Sequence, residues 1–327
     1  MIASPREARE VKAVIKKMDV RDHVKTAAFL FVEKYEHTMK ENVSGAVFNE
    51  FMILLNHYLI NEKNIDIRLP HAWYRRGDEI VRHYFQPYTK WDHEDLDLTA
   101  VSWDGDDPHI DMNDPVAAEI RRYADKYVNR YSGADGPGTE IDALYAKAPY
   151  RFQNEYKQFR EGLEEVSAAG PYMRDRRRNR LISLFGNAMN AFPDAFSCIE
   201  KERSDFESVF RAAAMSGAYV DDLRDMADRF WYFFCYHLRI DKKCHANISG
   251  KTLEMWRSSI PWEREMYVRS LQDAAYSLRS EGKEKRIDPI LAEREKRVRE
   301  FSALLEEFRT ADETCPVVHG SPVSKPL

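Results

Sequence analysis

The stretch from residue 44 to residue 91, SGAVFNEFMILLNHYLINEKNIDIRLPHAWYRRGDEIVRHYFQPYTKW, decides the fold of the N-terminal region. Apolar side chains recur at helical spacing over residues 46–60 and crowd one broad face, which predicts a buried helix. The side chains on that face are Val47, Phe48, Phe51, Leu54, Leu55, Tyr58 and Leu59. Apolar and charged residues then alternate over residues 65–69, which favours a half-buried strand or an extended connector.

Pro70 ends that run, and we predict that a second helix follows it over residues 71–85. Proline suits the first turn of a helix and disfavours helix at the residue before it. Trp73 and Tyr74 are expected to be structural, because an aromatic pair can seat this helix against the first one. Gly77 is expected to flex the helix and to allow close backbone approach. The outline of helix, extended link and helix fits a winged-helix-like DNA-binding module, and it fits an ordinary helical core as well.

The composition favours a mainly α fold. The chain has 327 residues, of which 43% are hydrophobic, 12% are aromatic and 32% are charged, and only 13 are glycine. All-β domains need frequent turn residues, and βαβ folds need recurring runs of Val and Ile; neither pattern is present. Because the length exceeds that of a usual single domain, we expect two domains.

We divide the chain into four regions by pattern. Residues 1–91 are predicted to form a winged-helix-like or helical module, which opens with helices over 4–18 and 22–40. Residues 92–138 are predicted to be an acidic linker and a connecting helix over 115–131. The remaining two regions are a C-terminal multi-helix domain over 139–310 and a disordered tail over 311–327.

Within the C-terminal region the run FWYFFCY at 230–236 is apolar all round, which predicts a central helix enclosed by the others. Predicted breaks between helices fall at Gly170-Pro171, Pro193, Gly217, Gly250 and Pro261. The last helix, over 288–310, has an apolar stripe made of Leu291, Val298, Phe301, Leu305 and Phe308. This stripe is expected to pack on the same domain or on a second copy, as a homodimer.

The net charge of −5 gives the whole molecule no attraction to nucleic acid or to anionic lipid, so such binding would need a local patch. The N-terminus lacks the apolar core of a secretory signal, and no stretch is apolar for long enough to span a bilayer. The four cysteines form no disulfide framework. We therefore expect a cytoplasmic protein that does not associate with membranes.

One dense basic patch stands out, MRDRRRNR at 173–180. Its arginines are Arg174, Arg176, Arg177, Arg178 and Arg180. Because guanidinium forks match phosphates and carboxylates, the patch predicts binding to nucleic acid, to a phosphorylated ligand or to an acidic partner surface. The alternative is a solvated helix face paired with nearby Asp and Glu. Further arginines that the fold could add to it are Arg75, Arg76, Arg82, Arg121 and Arg122.

Residues 92–114 hold carboxylates and histidines in a short segment, which is permissive for a hard cation. They are Asp92, His93, Glu94, Asp95, Asp104, Asp106, Asp107, His109, Asp111 and Asp114. A metal-dependent hydrolase or nuclease built on this loop is the alternative function, although an EF-hand starting at Asp104 would meet Pro108 where it needs a ligand. The simpler interpretation is a solvated acidic linker, so we predict no metal and no cofactor.

Two other groups of residues could carry chemistry. Cys235, His237, Cys244 and His245 are possible zinc ligands, but their spacing suits buried thiols and a helix-end histidine better. His57, His71 and His83 could serve acid–base chemistry, since histidine titrates near neutral pH. The chain contains no P-loop, no dinucleotide fingerprint, no nucleophile elbow and no HExxH motif, so no catalytic residue is assigned.

The segments LPHAWYRRGDEIVRHY at 69–84 and ALYAKAPYRFQNEYKQFR at 143–160 resemble a family of uncharacterised archaeal helical proteins with LPHxWYxxG and APYxFQ motifs. More remotely, the N-terminal region resembles the Panacea antitoxin-like domain, although Arg76-Gly77-Asp78 replaces its usual Tyr-Gly-Pro. The first resemblance supplies no activity. The second implies a helical protein that binds a toxin or acts as an adaptor.

These observations favour a non-enzymatic regulatory or interaction protein. Its partner would be a protein or nucleic acid held by the arginine patch, in an antitoxin-like adaptor or a nucleic-acid-associated regulator.

Overall fold

The computed structural model describes residues 22–93, 99–111, 113–131, 145–168, 175–280 and 288–313. Within these ranges it contains nine α-helices and two small antiparallel sheets of three strands each, which confirms a mainly α fold. The predicted helix over 4–18 lies outside the described residues, and so does the predicted tail from residue 314 onward.

The helices are α1 (Asp22–Met39), α2 (Gly45–Lys63), α3 (Pro115–Tyr131), α4 (Arg151–Ser167), α5 (Asp175–Asn190), α6 (Glu200–Ser216), α7 (Val220–Leu238), α8 (Gly250–Ser280) and α9 (Asp288–Glu313). The strands are β1 (Val43–Ser44), β2 (His71–Tyr74), β3 (Gly77–Ile80), β4 (Thr89–Trp91), β5 (Ala100–Trp103) and β6 (His245–Ala246). Short 3-10 turns lie at Arg82–Tyr84 and Asp194–Ile199.

Helices α1, α2 and α3 form the N-terminal core as their apolar spacing predicts. Ser44 caps α2, its Oγ accepting the N–H of Val47 at 3.3 Å. Inside the core the rings of Phe31 and Phe51 stack with centroids 3.8 Å apart. Residues 65–69 form a connector without regular secondary structure, in which Ile67 is buried and Arg68 has a left-handed φ of +57°.

The predicted second helix over 71–85 is wrong. Residues 71–80 form a hairpin in which β2 pairs with β3, from His71 opposite Ile80 to Tyr74 opposite Gly77. The physical reason lies partly at Gly77, whose φ of +120° is incompatible with a helix and is open to glycine. The rest of the reason is distant in sequence, because β2 also pairs with β6 and so gains its third strand from the C-terminal region. The helix–link–helix outline is therefore absent.

The second sheet has the order β1-β5-β4 and corrects part of the predicted linker. Strand β5 lies within the 92–114 segment, and Val101 is opposite Val43 on one side and Trp91 on the other. Val101 is fully buried, and Trp103 and Ile110 also pack against the N-terminal core, so apolar side chains anchor this acidic segment to it.

A second core is built around α7 from residues of the C-terminal region. Phe230, Trp231, Phe234 and Cys235 of the predicted central helix are all buried. Apolar side chains thus form two clusters, one drawn from residues 24–128 and one drawn almost entirely from residues 145–291. The exception in the second cluster is Trp73, so the hairpin contributes to both cores.

The predicted break at Pro261 is also wrong, because α8 continues through it from Gly250 to Ser280. Proline removes one helical N–H and leaves the carbonyl of Arg257, four residues earlier, without its usual donor. Both residues are exposed, so water can satisfy that carbonyl and the helix continues.

Helix α9 confirms the predicted last helix. Its first turn packs on α8 through Ile290 and Leu291, whereas Val298 on the same stripe is half exposed. The side chains of Phe301, Leu305 and Phe308 lie outside the described residues, so the predicted homodimer stays a prediction. In the part of the chain that the structure describes, no helix is both long enough and apolar enough to cross a membrane.

Candidate functional site

Helix α5 presents the predicted arginine patch on its outer face. Leu181 and Phe185 are buried against α4 and α6, and this fixes which side of α5 faces the core. On the other side Arg176, Arg177 and Arg180 are exposed, and Arg178 is half-buried. Arg174 lies outside the described residues. The patch is therefore a solvent-facing row at the beginning of the helix.

Carboxylates neutralise only part of this face. Arg180 Nη1 lies 2.9 Å from Glu165 Oε2, and both side chains are exposed, so this ion pair adds little stability. Arg177 and Arg180 line a shallow cavity of about 230 Å³ between α4 and α5. Arg176 and Arg177 make no ion pair with any carboxylate that the structure describes. Among the residues that the structure describes, nothing compensates these two exposed positive charges.

Several of the other arginines named with the patch are engaged on different elements. Arg122 binds Glu119 on its own helix α3 and donates to the hydroxyl of Tyr58 at 3.0 Å. Arg82 donates to the carbonyl of His93 at 2.7 Å. Arg75 stacks on tyrosines of the hairpin and of α7. These three arginines serve other contacts, so we confine the candidate interface to α5.

The hairpin motif fits between the two cores. Trp73 is only 6% exposed, and its ring meets the ring of Tyr145 edge-on at 5.4 Å. The backbone N–H of Trp73 donates to the backbone carbonyl of Cys244 at 2.7 Å. A Cβ at Gly77 would lie 3.2 Å from the Tyr145 ring. The predicted contact of Trp73 with the 46–60 helix is therefore wrong, because Trp73 lies in the C-terminal core.

Two of the three predicted histidines meet at one buried carboxylate on β3. His71 Nδ1 lies 2.7 Å from Oδ1 of Asp78, and His57 Nε2 lies 3.7 Å from Oδ2. The side chain of Asp78 is 3% exposed. Asn49 of α2 positions the strand, since its Oδ1 accepts the N–H of Ile80 at 2.8 Å. Strand β2, strand β3 and helix α2 together build this group.

The neighbours of Asp78 stabilise its ionised form. Burial alone would raise the pKa of Asp78, but the imidazoles of His71 and His57 outweigh it and lower that pKa below its ordinary value. A carboxylate that accepts from Nδ1 fixes the tautomer of His71 and leaves Nε2 as the basic nitrogen. Such a pair can transfer a proton, and it can also simply fasten β3 to α2.

His83 is separate from that pair. It stacks on Tyr84 and its Nε2 lies 3.3 Å from the hydroxyl of Thr252 on α8. Burial lowers the pKa of His83 to about 4, so its imidazole is neutral at physiological pH.

The acidic 92–114 segment uses several of its carboxylates for local structure. Asp92 accepts the N–H of Ala100 at 2.6 Å and the hydroxyl of Thr99 at 3.0 Å. Asp114 caps α3 by accepting the N–H of Val116 at 2.8 Å. Glu94 and Asp95 lie outside the described residues. Among the residues that are described, no group of three or more His, Cys, Asp or Glu side chains could hold a metal ion.

The residues named as possible zinc ligands do not gather either. Cys235 and Cys244 are both buried, and burial raises the pKa of each thiol. His237 approaches Cys198 instead, with Nδ1 and Sγ 4.0 Å apart. Burial lowers the pKa of His237 to about 4. These contacts are typical of core thiols and a buried neutral histidine.

Sequence reasoning named Tyr74 and Arg75 in other roles, but it missed the row of aromatic rings and guanidinium groups that they join where the hairpin meets α7 and α8. It consists of Tyr74, Arg75, Tyr232, Tyr236, Arg239 and Trp256. A signal was present, because Tyr232, Tyr236 and Arg239 recur at spacings of four and three at the end of α7, where the residues between them are mostly apolar.

No family model matches the chain, and neither a curated protein nor a solved structure does. The resemblances to the archaeal family and to the Panacea domain therefore remain predictions.

Proposed function

We propose that this protein is a non-enzymatic regulatory protein that binds the phosphate backbone of nucleic acid through the arginine face of α5. The observation that carries the proposal is the exposure of Arg176 and Arg177 without carboxylate partners among the described residues, in a chain whose net charge is −5. An acidic molecule that keeps uncompensated arginines on one helix face concentrates its attraction for anions there.

The chemistry of the face suits phosphate oxygens. Each guanidinium offers five N–H donors in a rigid fork, and a fork can bind phosphate through two parallel hydrogen bonds. The arginines also lie in the first turns of α5, where the helix dipole favours negative charge. This arrangement contacts backbone phosphates and contains no side chain assigned to base edges, so binding should depend weakly on sequence.

A gel-shift titration over a range of salt concentrations tests the proposal. The variant R176Q/R177Q removes the two uncompensated charges and leaves the half-buried Arg178 in place. The matched control is R229Q/R269Q, which removes two exposed arginines that are paired with Asp225 and Glu265. In the first variant only, we expect the slope of log affinity against log salt to fall by about 0.9 for each duplex phosphate that is no longer neutralised.

Two results would count against nucleic acid. If wild type does not shift a duplex at low salt, or if both double variants bind equally, the α5 face is not a nucleic-acid interface. Salt-sensitive capture of an acidic protein that duplex DNA does not displace would instead identify an adaptor of the antitoxin-like kind.

The contact between His71 and Asp78 favours a second candidate, an enzyme that uses acid–base chemistry. Assays of p-nitrophenyl esters and phosphates, with and without Mg, Mn or Zn, would test both this candidate and the metal-dependent hydrolase. Turnover that H71Q abolishes, with folding intact, would support the enzyme. Absence of turnover in every assay, with no thermal shift by any of the metals, would count against it.

A further inference from the structure

A row of alternating rings and guanidinium groups, the aromatic–arginine row, crosses the boundary between the hairpin and the C-terminal helices. Its members are Tyr232, Arg75, Tyr74, Tyr236, Arg239 and Trp256. They come from β2 and its turn, from the C-terminal end of α7 and from α8. None of them belongs to the α5 face, so this site is independent of the proposed function.

The sequence of α7 builds one side of the row. The helix buries Phe230, Trp231, Phe233 and Phe234, and Tyr232 at 38% exposure is the exception within this run. The turn of the hairpin is fastened to this helix, because the indole N–H of Trp231 donates to the carbonyl of Arg75 at 2.7 Å. The backbone of Arg75 is therefore held in place independently of its guanidinium.

The spacing within the row is that of cation–π contacts. The guanidinium carbon of Arg75 lies 4.4 Å from the ring centre of Tyr232 and 5.3 Å from that of Tyr74. The guanidinium carbon of Arg239 lies 4.3 Å from the ring centre of Tyr236 and 5.0 Å from that of Tyr74. It also lies 5.0 Å from the ring centre of Trp256. Both guanidinium groups thus lie within cation–π distance of the Tyr74 ring.

Neither charge has an anionic partner in the described part of the chain. No described carboxylate lies within the 4.0 Å of an ion pair from Arg75 or Arg239. Their hydrogen bonds go to hydroxyls, from Arg75 Nη2 to Tyr236 at 3.5 Å and from Arg239 Nη2 to Ser259 at 3.2 Å. The Nε atoms of both arginines are buried and make no hydrogen bond. Each arginine therefore has one buried donor without a hydrogen-bond partner.

Two other half-buried arginines do have carboxylate partners. Arg160 pairs with Asp228 at 2.8 Å, and Arg294 pairs with Asp273 at 3.1 Å. Glu79 and Glu263 lie near enough to act electrostatically on Arg75 and Arg239 respectively, but neither forms an ion pair with them. Burial raises the pKa of Tyr74, which keeps the phenol neutral. Burial raises the pKa of Glu79 to about 7, and its Oε1 already accepts the N–H of Arg76.

Burying a charged group without a partner of opposite charge is unfavourable, and cation–π contacts offset only part of this desolvation free energy. An anionic ligand would supply both arginines with a partner of opposite charge. The flanking rings of Tyr232 and Trp256, which are exposed and half-buried, offer flat surfaces on which a planar group can stack. Phosphate oxygens for the forks and a planar base for the rings occur together in nucleotides.

We propose that the aromatic–arginine row is a binding site for a nucleoside 5′-phosphate, with the phosphate held by Arg75 and Arg239 and the base stacked on Tyr232. The ligand is a free mononucleotide or the 5′-terminal nucleotide of a strand, and both share this chemistry.

Equilibrium binding to the purified full-length protein tests the site, measured by calorimetry at low salt. The probes are the four nucleoside 5′-monophosphates, inorganic phosphate, the matching nucleosides and a 5′-phosphorylated oligonucleotide. At least one mononucleotide should bind saturably, and both its nucleoside and inorganic phosphate should bind roughly tenfold or more weakly. Comparison with the oligonucleotide then separates a free ligand from a strand end.

The variants R75Q, R239Q and Y232L should each weaken mononucleotide binding by roughly tenfold or more. The control R229Q lies on the same helix but removes an exposed arginine paired with Asp225 at 2.7 Å, and it should bind as wild type does. R239K keeps the charge and removes the fork, so it should bind with intermediate affinity. If R239Q does not fold, the Y232L variant, which changes an exposed side chain, tests the site instead.

Three outcomes would overturn the proposal. Wild type that binds no mononucleotide saturably would show that the row only joins the two cores. Equal affinity for phosphate and mononucleotide would reduce the site to an anion site without base recognition. Unchanged affinity in folded R75Q and R239Q would place the ligand elsewhere.

Discussion

Replacing Gly162 by alanine tests how closely α5 approaches α4, and therefore how the arginine face is held. A methyl group at Gly162 would lie 2.7 Å from Cδ1 of Leu184 and 3.9 Å from Cδ1 of Leu181. The first distance is shorter than van der Waals contact allows, so Leu184 must move. Because Leu184 is only half-buried, it can do so at a limited cost.

The change in the free energy of unfolding follows from two opposing effects of the new methyl group. Alanine is favoured over glycine inside a helix by about 0.5–1 kcal/mol. Overpacking at the helix contact costs about 1–3 kcal/mol. We therefore expect Gly162→Ala to lower the free energy of unfolding by about 1 kcal/mol relative to wild type.

Gly186 of α5 provides the matched control. A methyl group there would lie 3.6 Å from Nη2 of Arg211, which is an ordinary contact with the end of a flexible side chain. Gly186→Ala should therefore raise the free energy of unfolding by about 0.5–1 kcal/mol. Urea unfolding followed by circular dichroism measures both variants. Equal stabilisation of the two would refute the close approach of α4 and α5.

Three further predictions concern the hairpin and α7. Trp73→Ala should lower the free energy of unfolding by about 3–5 kcal/mol, because the ring is buried; unchanged stability would place Trp73 at the surface. Gly77→Ala should cost about 1–3 kcal/mol, because φ is +120° and the new methyl meets Tyr145 at 3.2 Å; a stabilised variant would contradict that backbone. Burial lowers the folded-state pKa of His237 to about 4, so the unfolded chain binds a proton first and stability falls as the pH drops from about 6.5 towards 4. His237→Gln should lack about 2 kcal/mol of the destabilisation that wild type shows between pH 7 and pH 5, and equal destabilisation of both proteins would contradict a buried neutral imidazole.

Much of the helical fold is predictable from local spacing. The predicted helices over 22–40, 46–60 and 115–131 are found at Asp22–Met39, Gly45–Lys63 and Pro115–Tyr131. Apolar spacing succeeds there because each helix buries one face, and Ser44 and Asp114 supply capping side chains at two of the starts. Such signals lie within a few residues of the element that they define.

The hairpin was not predicted, although Gly77 is a local signal for its turn, because part of its stabilisation is distant in sequence. Its third strand, β6, comes from residues 245–246, and the N–H of Trp73 donates to the carbonyl of Cys244 in the same distant segment. The spacing of apolar residues along 71–85 does not indicate that pairing. The error at Pro261 is of another kind, since a breaker in an exposed helix face costs stability without ending the helix.

The candidate sites divide in the same way. The exposure of Arg176 and Arg177 could be expected from one helix alone, because the apolar residues of α5 occupy the opposite face. The aromatic–arginine row needed the fold, because Arg75 and Tyr232 lie far apart in the sequence. Only the hairpin and its fastening to Trp231 bring the two together.

Two charged side chains of the hairpin, Asp78 and Arg75, lie away from bulk water, and their neighbours differ. Asp78 is nearly inaccessible, yet two histidines lie against its oxygens and hold it ionised. Its charge is satisfied within the chain, so the group needs no ligand to be stable. Arg75, in the turn between β2 and β3, contacts rings and a hydroxyl and makes no ion pair with a described carboxylate. Because described residues compensate the charge of Asp78 and not that of Arg75, the proposed ligand site lies at the turn of the hairpin.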